Sequence, residues 1–71
     1  MENIKSEITR LNLLGLSYQT IAKHVNAHLA AIGSAEKTSA EGIRQIEKRE
    51  YVWGIKKDKA AAILAVGRRF K

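Results

Sequence analysis

The 71-residue chain contains no cysteine and no proline. Without cysteine there is neither a disulfide nor a thiolate zinc site. No apolar run approaches the ~20 residues of a membrane span, and the polar, acidic start (Met1-Glu2-Asn3) does not look like a secretory signal. These absences favour a cytoplasmic protein of one domain. Because so short a chain builds only a small core, we expect it to gain stability from a partner.

The excess of positive charge lies entirely in the second half of the chain. Residues 1–36 hold three Lys or Arg and three Asp or Glu, a net charge of zero. Residues 37–71 hold ten Lys or Arg and four Asp or Glu, which is the whole net charge of +6. A basic half of a small domain indicates a polyanion-binding surface, with nucleic acid as the first candidate.

Apolar residues recur at helical spacing, and no stretch alternates long enough to predict a strand. We therefore predict an all-α domain of four helices, at about residues 3–14, 18–32, 39–50 and 57–69. Gly15 and Gly33 are predicted to end the first two helices. Ser17 is predicted to cap the second, and Thr38 with Glu41 to form a capping box at the third. The predicted apolar faces comprise Ile4, Ile8, Leu11 and Leu14; Ile21, Val25, Leu29 and Ile32; and Ile43 and Ile46.

The third helix carries the most informative surface. At 100° per residue, Ile43 and Ile46 lie 60° apart and define its buried side. The opposite side presents groups that can bind base edges: arginine and lysine suit guanine, glutamine suits adenine and glutamate suits cytosine. The predicted base-contacting residues are Glu41, Arg44, Gln45 and Lys48.

The stretch Glu41-Gly42-Ile43-Arg44-Gln45-Ile46-Glu47 resembles the recognition helix of bacterial sigma-factor region 4. Residues 16–22 resemble the first helix of the same helix-turn-helix motif, and the resemblance covers about residues 17–49. It implies a helix-turn-helix with the third helix in the major groove. Carried over by position, Glu41, Arg44 and Gln45 face bases, and Thr38 and Ser39 hold a phosphate.

The chain departs from that family in spacing. Ala22 and Thr38 are sixteen positions apart, so the first helix of the motif is long or the turn is extended. Ala40 and Gly42 also replace basic residues of the family's recognition helix. A competing register places a tight turn at Asn26 and makes the mostly apolar segment 28–34 the reading helix.

Residues around the third helix are predicted to bind the DNA backbone, since first helices of this motif and nearby lysines commonly contact phosphates. They are Ser17, Tyr18, Gln19, Lys23, Thr38, Ser39, Arg49, Lys56 and Lys57.

The last predicted helix is alanine-rich with apolar residues on more than one face, so it either fills a groove in its own fold or packs against a second copy. Proteins of this class often bind paired half-sites as dimers. We therefore expect a homodimer with an interface formed by Ile63, Leu64, Val66 and Phe70.

The remaining residues that could bind a metal or catalyse a reaction do not form a recognisable site. His24 and His28 stand at metal-binding spacing, but no cysteine or neighbouring acidic residue completes a site, so neither metal nor other cofactor is expected. No nucleophile motif or phosphate loop suggests an enzyme. Tyr51 and Trp53 could stack on bases, although we predict that they form a hydrophobic lid over the third and fourth helices.

The sequence thus predicts a double-stranded-DNA-binding transcriptional regulator or repressor, of a size typical of phage and plasmid regulators. Two alternatives remain open. One is an interaction module whose Arg44 surface binds an acidic protein, for example RNA polymerase, and the other is an RNA-binding helical bundle.

Overall fold

The computed structural model describes residues 4–48 and 55–70, and these form helices without any strand. The helices are α1 (Ile4–Leu13), α2 (Tyr18–Ala31), α3 (Ala40–Lys48) and α4 (Lys57–Arg69). The predicted all-α, four-helix fold is confirmed. Arg49 and the aromatic segment 51–54, with its predicted lid, lie outside the described residues.

The two predicted glycine stops are confirmed. Gly15 has a φ of 103° and Gly33 a φ of 74°, the left-handed region that glycine enters without a steric penalty. After α1, the Leu16 N–H donates to the Leu11 carbonyl over 3.1 Å, and an equivalent bond follows α2. These are the bonds of a Schellman motif, which satisfies carbonyls that a helix end leaves without partners.

Leu14 and Ile32 were predicted to be core residues, and the structure corrects both. They are 51% and 52% exposed, and Leu13 is 83% exposed. Leu14 and Ile32 each directly precede a capping glycine. The backbone turns at those positions, so the side chains leave the apolar face that the helical spacing assigns them.

The caps at the helix starts follow local chemistry. As predicted, the Ser17 Oγ accepts from the Thr20 N–H over 3.1 Å at the start of α2. At α3 the prediction is wrong by one residue: the Ser39 Oγ, and not Thr38, accepts from the Gly42 N–H over 3.1 Å.

A single core joins the four helices. α1 and α2 each pack extensively against α3 and α4, whereas within the described residues the backbones of α3 and α4 do not approach each other closely. α3 is therefore held mainly by α1 and α2. The fully or nearly fully buried apolar residues are Ile8, Leu11, Ile21, Ala22, Val25, Leu29, Ile43, Ala62, Ile63 and Val66.

The burial of α4 corrects the predicted dimer interface. Ile63 and Val66 are each 1% exposed in the single chain, so they are not available to a second copy. Phe70 packs against the same core and meets the His24 ring edge-on at 5.1 Å. Leu64 is half-buried. Of the two alternatives for this helix, the structure supports the one in which it fills a groove in its own fold.

Arg10 ties α1 to the end of α4. Its guanidinium donates to the Phe70 carbonyl over 2.5 Å and also to the Gly67 carbonyl. It further donates to the Glu7 carboxylate over 3.0 Å. The arginine thus supplies donors for carbonyls that the end of α4 leaves without helical partners, a role that no local pattern in the sequence indicates.

Candidate nucleic-acid interface

α3 has an inner side that packs and an outer side that faces solvent. Ile43 is fully buried, and Ile46 packs half-buried against the core. The structure places the four predicted base-contacting residues together on the exposed side: Glu41, Arg44, Gln45 and Lys48.

Three of these side chains form a hydrogen-bonded group. The Arg44 Nε and Nη2 donate to the two Glu41 carboxylate oxygens over 3.0 and 2.5 Å. The Gln45 Nε2 donates to Glu41 Oε1 over 3.3 Å. The bonds from Arg44 lower the pKa of Glu41 and raise that of Arg44. The Glu41 carboxylate is therefore bonded to side chains on the outer face of α3 and does not form the predicted capping box.

Glu47, which the sequence analysis did not single out as a site residue, anchors α3 to the other helices. Its side chain is only 10% exposed. It accepts hydrogen bonds from the Tyr18 hydroxyl and, over 2.8 Å, from the Thr9 hydroxyl. The Tyr18 bond, followed by the Thr9 bond and the nearby Lys48 ammonium, holds the pKa of Glu47 below its usual range. The sequence signal was its position four residues after Ile43, on the inner side of the helix.

The same contact corrects the assignment of Tyr18 to the DNA backbone. Tyr18 is half-buried and packs against the core, and its hydroxyl binds Glu47. The hydrogen bond that the hydroxyl donates to the Glu47 carboxylate raises the pKa of Tyr18. The residue positions α3 and does not present its hydroxyl to a phosphate.

Asn26 holds the chain that leads into α3. Its Nδ2 donates to the Thr38 carbonyl over 2.9 Å, and its Oδ1 accepts from the Thr38 N–H over 2.8 Å. The Thr38 peptide is thereby occupied, so the predicted phosphate contact of Thr38 would have to come from its side-chain hydroxyl. Asn26 itself lies within α2, so the competing register with a turn at Asn26 is wrong.

These contacts also set the direction of α3. The start of α2 meets the end of α3 through Tyr18 and Glu47, and the middle of α2 meets the approach to α3 through Asn26 and Thr38. α3 therefore runs back alongside the first half of α2. The eight residues 32–39 connect the two helices.

Apart from Tyr18, Thr38 and Arg49, the residues predicted to contact the DNA backbone are all exposed. On α2, Gln19 and Lys23 are exposed, and their spacing places them on the same side of the helix as Asn26, which contacts the approach to α3. Lys59 lies 3.8 Å from Glu36, which places the first turn of α4 beside the loop that leads into α3. Lys56 and Lys57 are exposed at that end of the molecule. Ser17 and Ser39 are exposed, although each also serves as a helix cap.

Within residues 4–48 and 55–70, a metal site and a membrane-spanning helix are both absent. No three His, Cys, Asp or Glu side chains group closely enough to hold a metal ion. None of the four helices has both the length and the apolar character needed to cross a bilayer.

Comparison with known proteins assigns no family to the chain. The sequence matches no protein-family model and no curated protein, and the fold matches no solved structure. The functional conclusion therefore depends on α3 and the residues around it.

Proposed function

We propose that this chain is a sequence-specific double-stranded-DNA-binding protein that acts as a small transcriptional regulator. In this proposal the outer face of α3 enters the major groove as the reading helix of an extended helix-turn-helix. The observation that carries the proposal is the common exposure of Glu41, Arg44, Gln45 and Lys48 on a helix whose opposite side is anchored in the core.

The chemistry of that face suits base edges. Arginine and lysine donate to the O6 and N7 of guanine, glutamine pairs with adenine, and glutamate accepts from cytosine. A reading helix must also be held in position. Ile43 and Glu47 supply that support from the inner side of α3, and Asn26 supplies it at the approach to the helix.

The distribution of charge supports binding to a polyanion. In the basic half of the chain Glu47 is nearly buried, and Glu41 is paired with Arg44. Exposed lysines stand on α3, on α2 and at the start of α4: Lys48, Lys23, and Lys56 with Lys57. These lysines would contact phosphates on either side of the groove that α3 enters.

We retain the homodimer as part of the proposal, because regulators of this class commonly bind two half-sites about one DNA turn apart. Its interface must lie outside the buried residues of α4. A dimer of this kind predicts that selection from random duplex DNA recovers a palindromic site.

The salt dependence of binding tests the proposal directly. If about five phosphates are neutralised, the logarithm of the affinity falls with the logarithm of salt concentration with a slope of about −4 to −5. Gel-shift competition at about 150 mM salt between duplex DNA and structured RNA distinguishes this function from RNA binding. Binding to neither nucleic acid would contradict the proposal and favour the module that binds an acidic protein surface.

Two alanine variants distinguish base contacts from backbone contacts. Arg44→Ala is expected to cost about 1–3 kcal/mol on the selected site and to relax specificity at one base pair. Lys57→Ala is expected to weaken the selected and a scrambled duplex alike, with a shallower salt slope. Dissociation constants for both duplexes provide the measurement. Equal losses on both duplexes for Arg44→Ala would show that α3 has been misassigned as the reading helix.

A further inference from the structure

We infer that Glu41 is a positioning residue for sequence reading: it orients Arg44 toward a guanine edge and keeps it from serving as a phosphate contact. The inference rests on the proposed function and assigns Glu41 a role in place of its own predicted base contact. It comes from the geometry of the Glu41–Arg44 pair.

Glu41 binds one particular edge of the guanidinium. The Nε and Nη2 of Arg44 donate to the two carboxylate oxygens over 3.0 and 2.5 Å. A guanidinium carries five N–H donors in a fixed plane. Its other edge, between Nη1 and Nη2, has two parallel N–H groups, and that pair matches the O6 and N7 acceptors of guanine. Binding by the first edge therefore fixes the direction in which the second edge points.

The pair remains accessible to a ligand. The side chains of Arg44 and Glu41 are 47% and 58% exposed. The Gln45 Nε2 donates to the same carboxylate over 3.3 Å. The two bonds from Arg44 hold its side chain in one orientation before any DNA is bound, which lowers the entropy cost of ordering it in a complex.

The negative charge of Glu41 also separates specific from non-specific binding. A carboxylate repels phosphates, and it neutralises the Arg44 charge that would otherwise strengthen binding to any sequence. A repulsive group that weakens wrong complexes more than the right one increases specificity. Glu41 is therefore expected to weaken binding to DNA in general and to improve discrimination among sequences.

The test uses the full chain, a duplex selected from a random library and a scrambled duplex of the same composition. Glu41→Gln removes the charge and keeps the size of the side chain. We expect its affinity for scrambled DNA to rise a few-fold, with the salt slope steeper by about one. We expect the ratio of selected to scrambled affinity to fall about tenfold, with the loss confined to one guanine position. Glu36→Gln is the matched control, because it removes the same charge from a glutamate that neighbours Lys59 at 3.8 Å.

A double-mutant cycle shows whether Glu41 acts through Arg44. In the Arg44→Ala background, Glu41→Gln is expected to leave the affinity ratio unchanged. Four results would each overturn the inference while leaving DNA binding intact. The ratio of selected to scrambled affinity could be unchanged in Glu41→Gln, or could fall equally in Glu36→Gln. The loss of affinity could instead be spread over all base positions, or the ratio could fall further when Glu41→Gln is added to Arg44→Ala. Wild-type protein that binds both duplexes equally, or neither, would instead overturn the proposed function.

Discussion

Ile43→Ala is expected to lower the free energy of unfolding by about 2–5 kcal/mol. Ile43 is fully buried, and it is the buried residue through which α3 joins the common core. Its truncation leaves a cavity that a rigid interior fills only in part. Because native domains are stable by only about 5–15 kcal/mol, the loss is a large fraction of the total. Urea denaturation followed by circular dichroism measures it.

Two variants on the same helix serve as controls. Ile43→Val removes one methylene and is expected to cost about 0.5–1.5 kcal/mol. Gln45→Ala lies on the exposed side and is expected to change stability by no more than about 0.5 kcal/mol. If Ile43→Ala were as mild as Gln45→Ala, the core position of α3 would be wrong.

Glu47→Ala is expected to lower the free energy of unfolding by about 2–3 kcal/mol. Each hydrogen bond to a charged group contributes about 1.5–3 kcal/mol. The loss is less than the sum of two such bonds because the hydroxyls left behind can partly bind water. The variant removes the acceptor for both the Tyr18 and the Thr9 hydroxyls. A cycle with Tyr18→Phe isolates the tyrosine bond. Additive losses in that cycle would show that the two side chains do not interact.

The lowered pKa of Glu47 predicts a dependence of stability on pH. A carboxyl whose pKa is lower in the folded than in the unfolded protein stabilises the fold at pH values above its unfolded pKa, here near 4.5. That contribution is lost as the pH falls through the lowered folded value. Urea midpoints measured from neutral pH down into that acidic range are therefore expected to fall less steeply in Glu47→Gln than in the wild type. The pKa of Glu41 is also lowered, so Glu41→Gln measures how much of the pH dependence comes from that carboxyl. Parallel curves for Glu47→Gln and the wild type would contradict the assignment.

The helix ends were predictable because their causes are local. Gly15, Gly33 and Ser17 act on residues within one turn of themselves, so spacing along the chain is enough to place them. The two core predictions that fail, Leu14 and Ile32, fail for a local reason as well. Each occupies the position where the backbone leaves the helix, and helical periodicity no longer describes the direction of a side chain there.

The polar contacts that position α3 were not predictable in the same way. Glu47 and Asn26 lie at helical spacing from apolar core residues, but such side chains are usually exposed, and their partners lie 29 and 12 residues away. Arg10 bonds to a carbonyl 60 residues along the chain. Sequence patterns identify the outer face of α3, whereas only the fold shows which of its neighbours hold it in place.

The order in which the helices pack has a consequence for how the molecule forms. α1 makes its extensive contacts with α3 and α4 and few with α2, its neighbour in sequence. As the chain emerges from the ribosome, α1 and α2 therefore have little to bury against each other, and the core closes only when α4 has been synthesised. Such distant contacts require large loops to close first, so folding is expected to be slower than for a bundle of consecutive helical hairpins of the same length.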